Sequence, residues 1–320
     1  MPGNVSPKVA LILVGVVLIV FLCLRLPAQG DNHSTNLEIV HDKPFVMVMV
    51  NGKGPFRFVI DTGTGGQAFV SADLVAQLAI PRSGQITLND PSGLGGQKVP
   101  RVVLDSLQVA GVEFTGVKAA VHDLGSGEGS CQGLLGFKLF RDYLLTLDYP
   151  NHRMSLTSGD LKPDGEQSVL AFRMPEGIPI VTIAIGGTRI DAQLDSGGAG
   201  LSLPLQLTSQ LKFASQYASV SNAHSLSTRF MVMGATLAAD VHVGSYTFKR
   251  PFVEINPAFP LANFGSCPMQ GFAVTFDQKN RLVRLSSQQK TLHLSATPMP
   301  MRLQSAPDRE PVDPKLVPVG

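Results

Sequence analysis

The chain has no tryptophan, three cysteines and four tyrosines in 320 residues, and 16% of it is charged. Each scarcity removes something. A formal net charge of +2, with no basic stretch interleaved with aromatics, excludes nucleic acid as an implied partner. Seven histidines are present, but His41, His122 and His224 share no ligand spacing and no HExxH occurs, so no metal is implied. No serine sits in a Gly-x-Ser-x-Gly setting, which leaves serine hydrolase chemistry without its motif. The phosphate-cradling patterns GxGxxG and Walker A are missing too, and no cofactor is implied.

What is present is apolar and turn-rich: 44% hydrophobic residues, 32 glycines and 23 prolines, enough for about two domains of roughly 100–200 residues each. Near the start, Lys8 precedes an unbroken apolar run over residues 9–24, which Arg25 closes. Its length lies between a secretory core of ~7–15 residues and a spanning helix of ~17–25. Residues 1–30 are therefore expected to be an N-terminal signal or membrane anchor, cleavable around Leu26-Pro27-Ala28 or retained as an apolar helix. The positive near side puts the N-terminus inside and the body outside the cytoplasm. Residues 29–36 read as a polar linker.

Beyond the linker, short β signals follow one another. Asn51-Gly52 marks a hairpin turn. Phe58, Val59 and Ile60 form an apolar strand ending in Asp61, Thr62 and Gly63, a carboxylate and a small hydroxyl followed by a turn-permitting glycine. A helix is expected over residues 69–80 with Ser71 as its cap. Strands are expected over 102–107 and 112–121. The motif then returns 134 positions later as Asp195, Ser196 and Gly197. Later landmarks return too: Leu134, Leu135 and Gly136 against Asn263, Phe264 and Gly265, and the strand ending at Asp148 against the one ending at Asp277. Two copies of one β unit, residues 37–157 and 169–287, explain this pattern most economically. Residues 158–168 join them, and the proline-punctuated residues 288–320 are expected to be a disordered tail.

Paired Asp-Thr/Ser-Gly loops, each with a late glycine in its own half, resemble the aspartic peptidases. The ending GLLGFKLFRDYLLTLDYPNHRMSL is more similar to the retropepsin-like bacterial branch than to pepsin. The resemblance, which covers about residues 37–287, implies an all-β fold of two pseudo-symmetric retropepsin-like lobes with the active cleft between them; the N-terminal apolar helix expected from residues 9–24 precedes it. It implies Asp61 and Asp195 as the catalytic pair, and Thr62, Gly63, Thr64, Ser196 and Gly197 as their support. Residues 84–100 become a flap turning at Gly93, Leu94, Gly95 and Gly96. That flap carries no aromatic residue, unlike the tyrosine-bearing flap of pepsins, and Asn263 and Phe264 stand where two aliphatics are expected.

Two close carboxyls cannot both ionise easily, so they share a proton and supply base and acid together to a water attacking a peptide bond. The expected activity is that of an aspartic endopeptidase, a monomer acting on extended polypeptide and held at a membrane through its N-terminal segment. The competing reading is a non-catalytic module that holds a peptide or envelope component in the same cleft. Because Thr64 can donate to Asp61 and Gly198 cannot do so for Asp195, Asp61 is expected to be the carboxylate and Asp195 the protonated partner. Cys131 and Cys267 border corresponding loops; a disulfide and two free thiols both remain open, and Cys23 lies in the apolar run.

Overall fold

The computed structural model describes residues 33–93, 95–125, 129–165, 167–224 and 229–294. The N-terminal apolar run, Leu94 of the flap and the tail from residue 295 lie outside them. Among the described residues no helix is long and apolar enough to cross a membrane.

The architecture is mostly β. Asn51 and Gly52 both take positive φ (49° and 71°), as a two-residue hairpin turn requires. They reverse the chain between strands Lys43–Val50 and Lys53–Asp61, which pair antiparallel with Phe45 opposite Val59. In the second strand Phe58, Val59 and Ile60 are all buried, because it lies inside its sheet and is covered on both faces. It pairs in parallel with Gly133–Gly136, which pairs antiparallel with Ala68–Val70, which in turn runs parallel to Val112–Val121.

A second sheet repeats this wiring. Thr188–Asp195 pairs in parallel with Ala262–Gly265, which pairs antiparallel with Leu201–Pro204, which runs parallel to Phe252–Asn256. The first sheet has eight strands and the second ten. A third sheet of six strands takes members from both halves, with Leu144–Asp148 antiparallel to Ala273–Asp277 at its centre. Thr146 lies opposite Thr275 there, and their hydroxyls are 2.9 Å apart. Each central strand ends in an aspartate that caps the following turn: Asn151 N–H donates to Asp148 and Asn280 N–H to Asp277. One continuous apolar core joins all three sheets, with Phe137 and Phe276 edge to face at 5.2 Å between the halves.

Several expectations change in detail. The helix is short, Ala72–Gln77, because Ala68–Val70 is taken into the sheet; Ser71 does cap it, accepting the Leu74 N–H at 3.1 Å. The strand expected over 102–107 is longer, Gly96–Val109, and turns at Ala110 and Gly111 into Val112–Val121. The polar linker contributes strand His33–Asn36, paired with Arg153–Thr157. The body also extends past residue 287. Thr291–Leu292 runs parallel to Tyr246–Phe248 and buries Leu292, so residues 291–292 belong to the body, and the expected tail from residue 295 lies outside the described residues. Tertiary pairing ordered a segment whose composition gave no sign of it.

Candidate active site

Both aspartates stand at the ends of central strands, where a parallel neighbour ends in glycine: Asp61 opposite Gly136 and Asp195 opposite Gly265. Those late glycines buttress the loops. Gly136 N–H donates to Gln67 O at 2.9 Å and Gly265 N–H to Gly200 O at 3.0 Å. A side chain at Gly265 would lie 2.6 Å from the Gly200 carbonyl, so the loop could not pack as it does.

Thr62 and Ser196 tie the two loops together reciprocally. Thr62 N–H donates to Ser196 Oγ and Ser196 N–H to Thr62 Oγ1, each at 3.0 Å. The Thr62 hydroxyl donates across to Leu194 O and the Ser196 hydroxyl to Ile60 O, each at 2.7 Å. Both residues are fully buried. Gly63 and Gly197 pack against the opposite aspartates. A Cβ at Gly63 would sit 2.5 Å from Asp195 Cγ, and one at Gly197 would sit 2.5 Å from Asp61 Cγ. Glycine is thus required at both positions for the carboxyls to meet.

The carboxyls themselves are not equivalent. Thr64 Oγ1 donates to Asp61 Oδ2 at 3.0 Å, and Asp61 Oδ1 is buried without a hydrogen-bond partner among the described residues. Asp195 accepts four hydrogen bonds. Gly197 and Gly198 N–H reach Oδ1, each at 2.9 Å, while Gln193 Nε2 at 3.2 Å and Asn263 Nδ2 at 3.0 Å reach Oδ2. Burial, and then the charge of Asp195 beside it, push the Asp61 carboxyl up to about 8; the Thr64 hydroxyl and Lys43 pull it the other way. Thr64 does donate to Asp61, as expected, but Asp195, where no such support is expected from Gly198, accepts four hydrogen bonds against that one.

Three contributors to the site were not singled out as site residues in the sequence. Gln193 lies two residues before Asp195, on the same face of its strand, and nothing marked it. Asn263 was visible as a polar residue in an aliphatic position. Tyr149 is buried behind the second loop, where its hydroxyl accepts from Ser266 Oγ at 3.2 Å; burial drives its titration far above the ordinary phenol value.

Residues 84–100 do form a hairpin, between Arg82–Asn89 and Gly96–Val109. Gly93 and Gly95 take positive φ at its tip with open space around them, and Gly96 lies opposite Asn89 with the Leu88 carbonyl 2.8 Å from where its Cβ would be. A second hairpin, Ala218–His224 with Arg229–Thr236, follows the corresponding position in the other sheet and was not anticipated. Cys131 and Cys267 are free, half-buried thiols; burial raises both, Cys267 to about 11.

Two carboxyls on facing, cross-linked turns at the ends of β-strands define a class of site suited to acid–base hydrolysis. Residues 46–139, which include Asp61 and Gly136, match the family model described as Aspartyl protease. That match supports an aspartyl protease family and protease activity in general. The second loop lies beyond the matched span. A comparison with curated proteins finds no match.

Proposed function

We propose that the protein is an aspartic endopeptidase with two pseudo-symmetric retropepsin-like lobes and that a water held between Asp61 and Asp195 attacks the peptide bond. The observation that carries this reading is the reciprocal cross-link of Thr62 and Ser196, which holds the carboxyls face to face. One carboxyl takes a proton from the water while the other protonates the carbonyl oxygen; the roles then reverse as the amine leaves. Thr62, Gly63, Thr64, Ser196 and Gly197 keep the pair in place. The substrate is an extended polypeptide, bound by backbone hydrogen bonds along the β-lined cleft and covered by the hairpin at residues 84–100. Lys8 and the apolar run over residues 9–24 support an exported or membrane-anchored enzyme whose catalytic body lies outside the cytoplasm.

The test is to incubate the full-length protein in detergent with a peptide mixture across acidic to neutral pH and to read products by mass spectrometry. Discrete internal cleavages blocked by a transition-state-like peptide inhibitor are expected. Peptide binding without cleavage at any pH would replace the enzyme with a binding module.

A further inference from the structure

The two halves of the site differ at one matched pair of positions. In the first sheet Val59 lies opposite Leu134, two residues before Asp61; in the second Gln193 lies opposite Asn263, two residues before Asp195. The wiring is the same and the chemistry is different. Where the first half offers two hydrocarbon side chains, the second offers two amides, and both direct an N–H to Asp195 Oδ2. An amide N–H can only donate there, so it favours the ionised carboxylate over the acid.

Asn263 also carries a cost. Its Oδ1 is buried with no partner among the described residues, and a buried orphan acceptor weakens folding. A leucine, as at position 134, would avoid that cost. The amide therefore makes sense through what its nitrogen does for Asp195.

We propose that Gln193 and Asn263 are positioning residues that hold Asp195 as the carboxylate and leave the shared proton on Asp61. This deepens the peptidase reading by fixing the roles. Asp195 takes the proton from the attacking water while Asp61 gives its own to the carbonyl oxygen, forming a neutral gem-diol. Asp61 then recovers a proton from one hydroxyl, Asp195 passes its proton to the leaving nitrogen, and the C–N bond breaks. The pair ends as it began.

Among the described residues other ionisable groups lie around the dyad's loops, including Glu254 beside Gly200, a carboxyl raised by burial. Strands Ile180–Ile185 and Ala262–Gly265, which pair with the strand that ends in Asp195, carry no ionisable side chain. On its own strand Arg189 lies six residues away, and Asp191 is paired with Arg173. Tyr149 behind the loop is neutral, with its titration driven upward by burial. Cys267, in the short helix after Gly265, is likewise a thiol raised by burial. Lys43 acts on Asp61 in the opposing direction, and the asymmetry survives it.

The test is a pH titration of the aspartate carboxyl carbons by isotope-edited NMR, with resonances assigned through Asp61→Asn and Asp195→Asn. The wild type is expected to show Asp195 ionised and Asp61 protonated at about pH 5. In the double variant Gln193→Met, Asn263→Leu, close in shape but without the donors, the Asp195 midpoint should rise by about one pH unit or more, with roughly half of that in each single variant. The acidic limb of the pH–rate profile should move with it. Asn263→Leu alone should melt no lower than wild type. If the double variant fails to fold, the single variants decide. Asp61 ionising first in the wild type would overturn the proposal. So would an unmoved Asp195 midpoint, and a loss of stability with that midpoint unmoved would mark the amides as structural only. The titration needs no cleavage, so a wild type that titrates as expected but hydrolyses nothing would count against the peptidase reading alone.

Discussion

Removing the Thr62 hydroxyl should loosen the whole site. Its Oγ1 accepts the Ser196 N–H at 3.0 Å and donates to Leu194 O at 2.7 Å, in a fully buried setting. In Thr62→Val the shape is kept and the hydroxyl is lost. The Ser196 N–H is then an orphaned buried donor, costing roughly 1–3 kcal/mol, and the bond to Leu194 adds about 1. Together these give ~2–4 kcal/mol, a large share of the ~5–15 kcal/mol that holds a typical domain. Thr62→Ser keeps both bonds and gives up one methyl, worth about 1 kcal/mol. Urea denaturation of the two variants side by side isolates the hydroxyl. Because the same bonds align the carboxyls, Thr62→Val should also lose about a hundredfold in kcat/KM, the usual consequence of an ångström-scale misplacement. Ser196→Ala should behave alike, since it orphans the Thr62 N–H. If Thr62→Val unfolds within ~0.5 kcal/mol of Thr62→Ser, the cross-link does not hold the loops together.

Three further outcomes are expected. The Asp61 carboxyl, raised from 3.8 to about 8 in the native state, keeps its proton where the unfolded chain has lost it, so its contribution to stability falls as pH rises through that window. Asp61→Asn should therefore gain on wild type between about pH 4 and pH 8, by at most ~1.4 kcal/mol per pH unit; a constant difference in chemical denaturation across that range would contradict the burial argument. Gly63→Ala and Gly197→Ala each place a methyl 2.5 Å from the opposite aspartate Cγ. Both should remain folded at a cost of roughly 1–3 kcal/mol while peptide cleavage drops to background. The amides of residues 84–100 should exchange more slowly with solvent once a transition-state-like inhibitor is bound; unchanged exchange beneath a tight inhibitor would remove the flap from the account.

The loops were legible because their chemistry demands a narrow alphabet: a carboxylate, a hydroxyl small enough to bury, and glycine where the other aspartate approaches. The hairpin at Asn51-Gly52 and the cap at Ser71 are local features, and local sequence specified both. The amide donors on Asp195 are not legible from its near neighbours: the one on Asn263 comes from 68 residues away, and the one on Gln193 depends on which strand face reaches the carboxylate. Strand Thr291–Leu292 was hidden for a similar reason. It exists through its partner Tyr246–Phe248, and its surroundings in sequence are polar. The second hairpin, Ala218–His224 with Arg229–Thr236, lacks the glycine cluster that advertised the first.

The central claim is that Asp61 and Asp195 together hydrolyse peptide bonds. The most direct measurement is the initial rate of cleavage of one peptide identified from the mixture, by wild type, Asp61→Asn and Asp195→Asn, each checked for folding by circular dichroism and urea denaturation. The account predicts cleavage by the wild type and background rates for both folded Asn variants. Full activity in either Asn variant would contradict it.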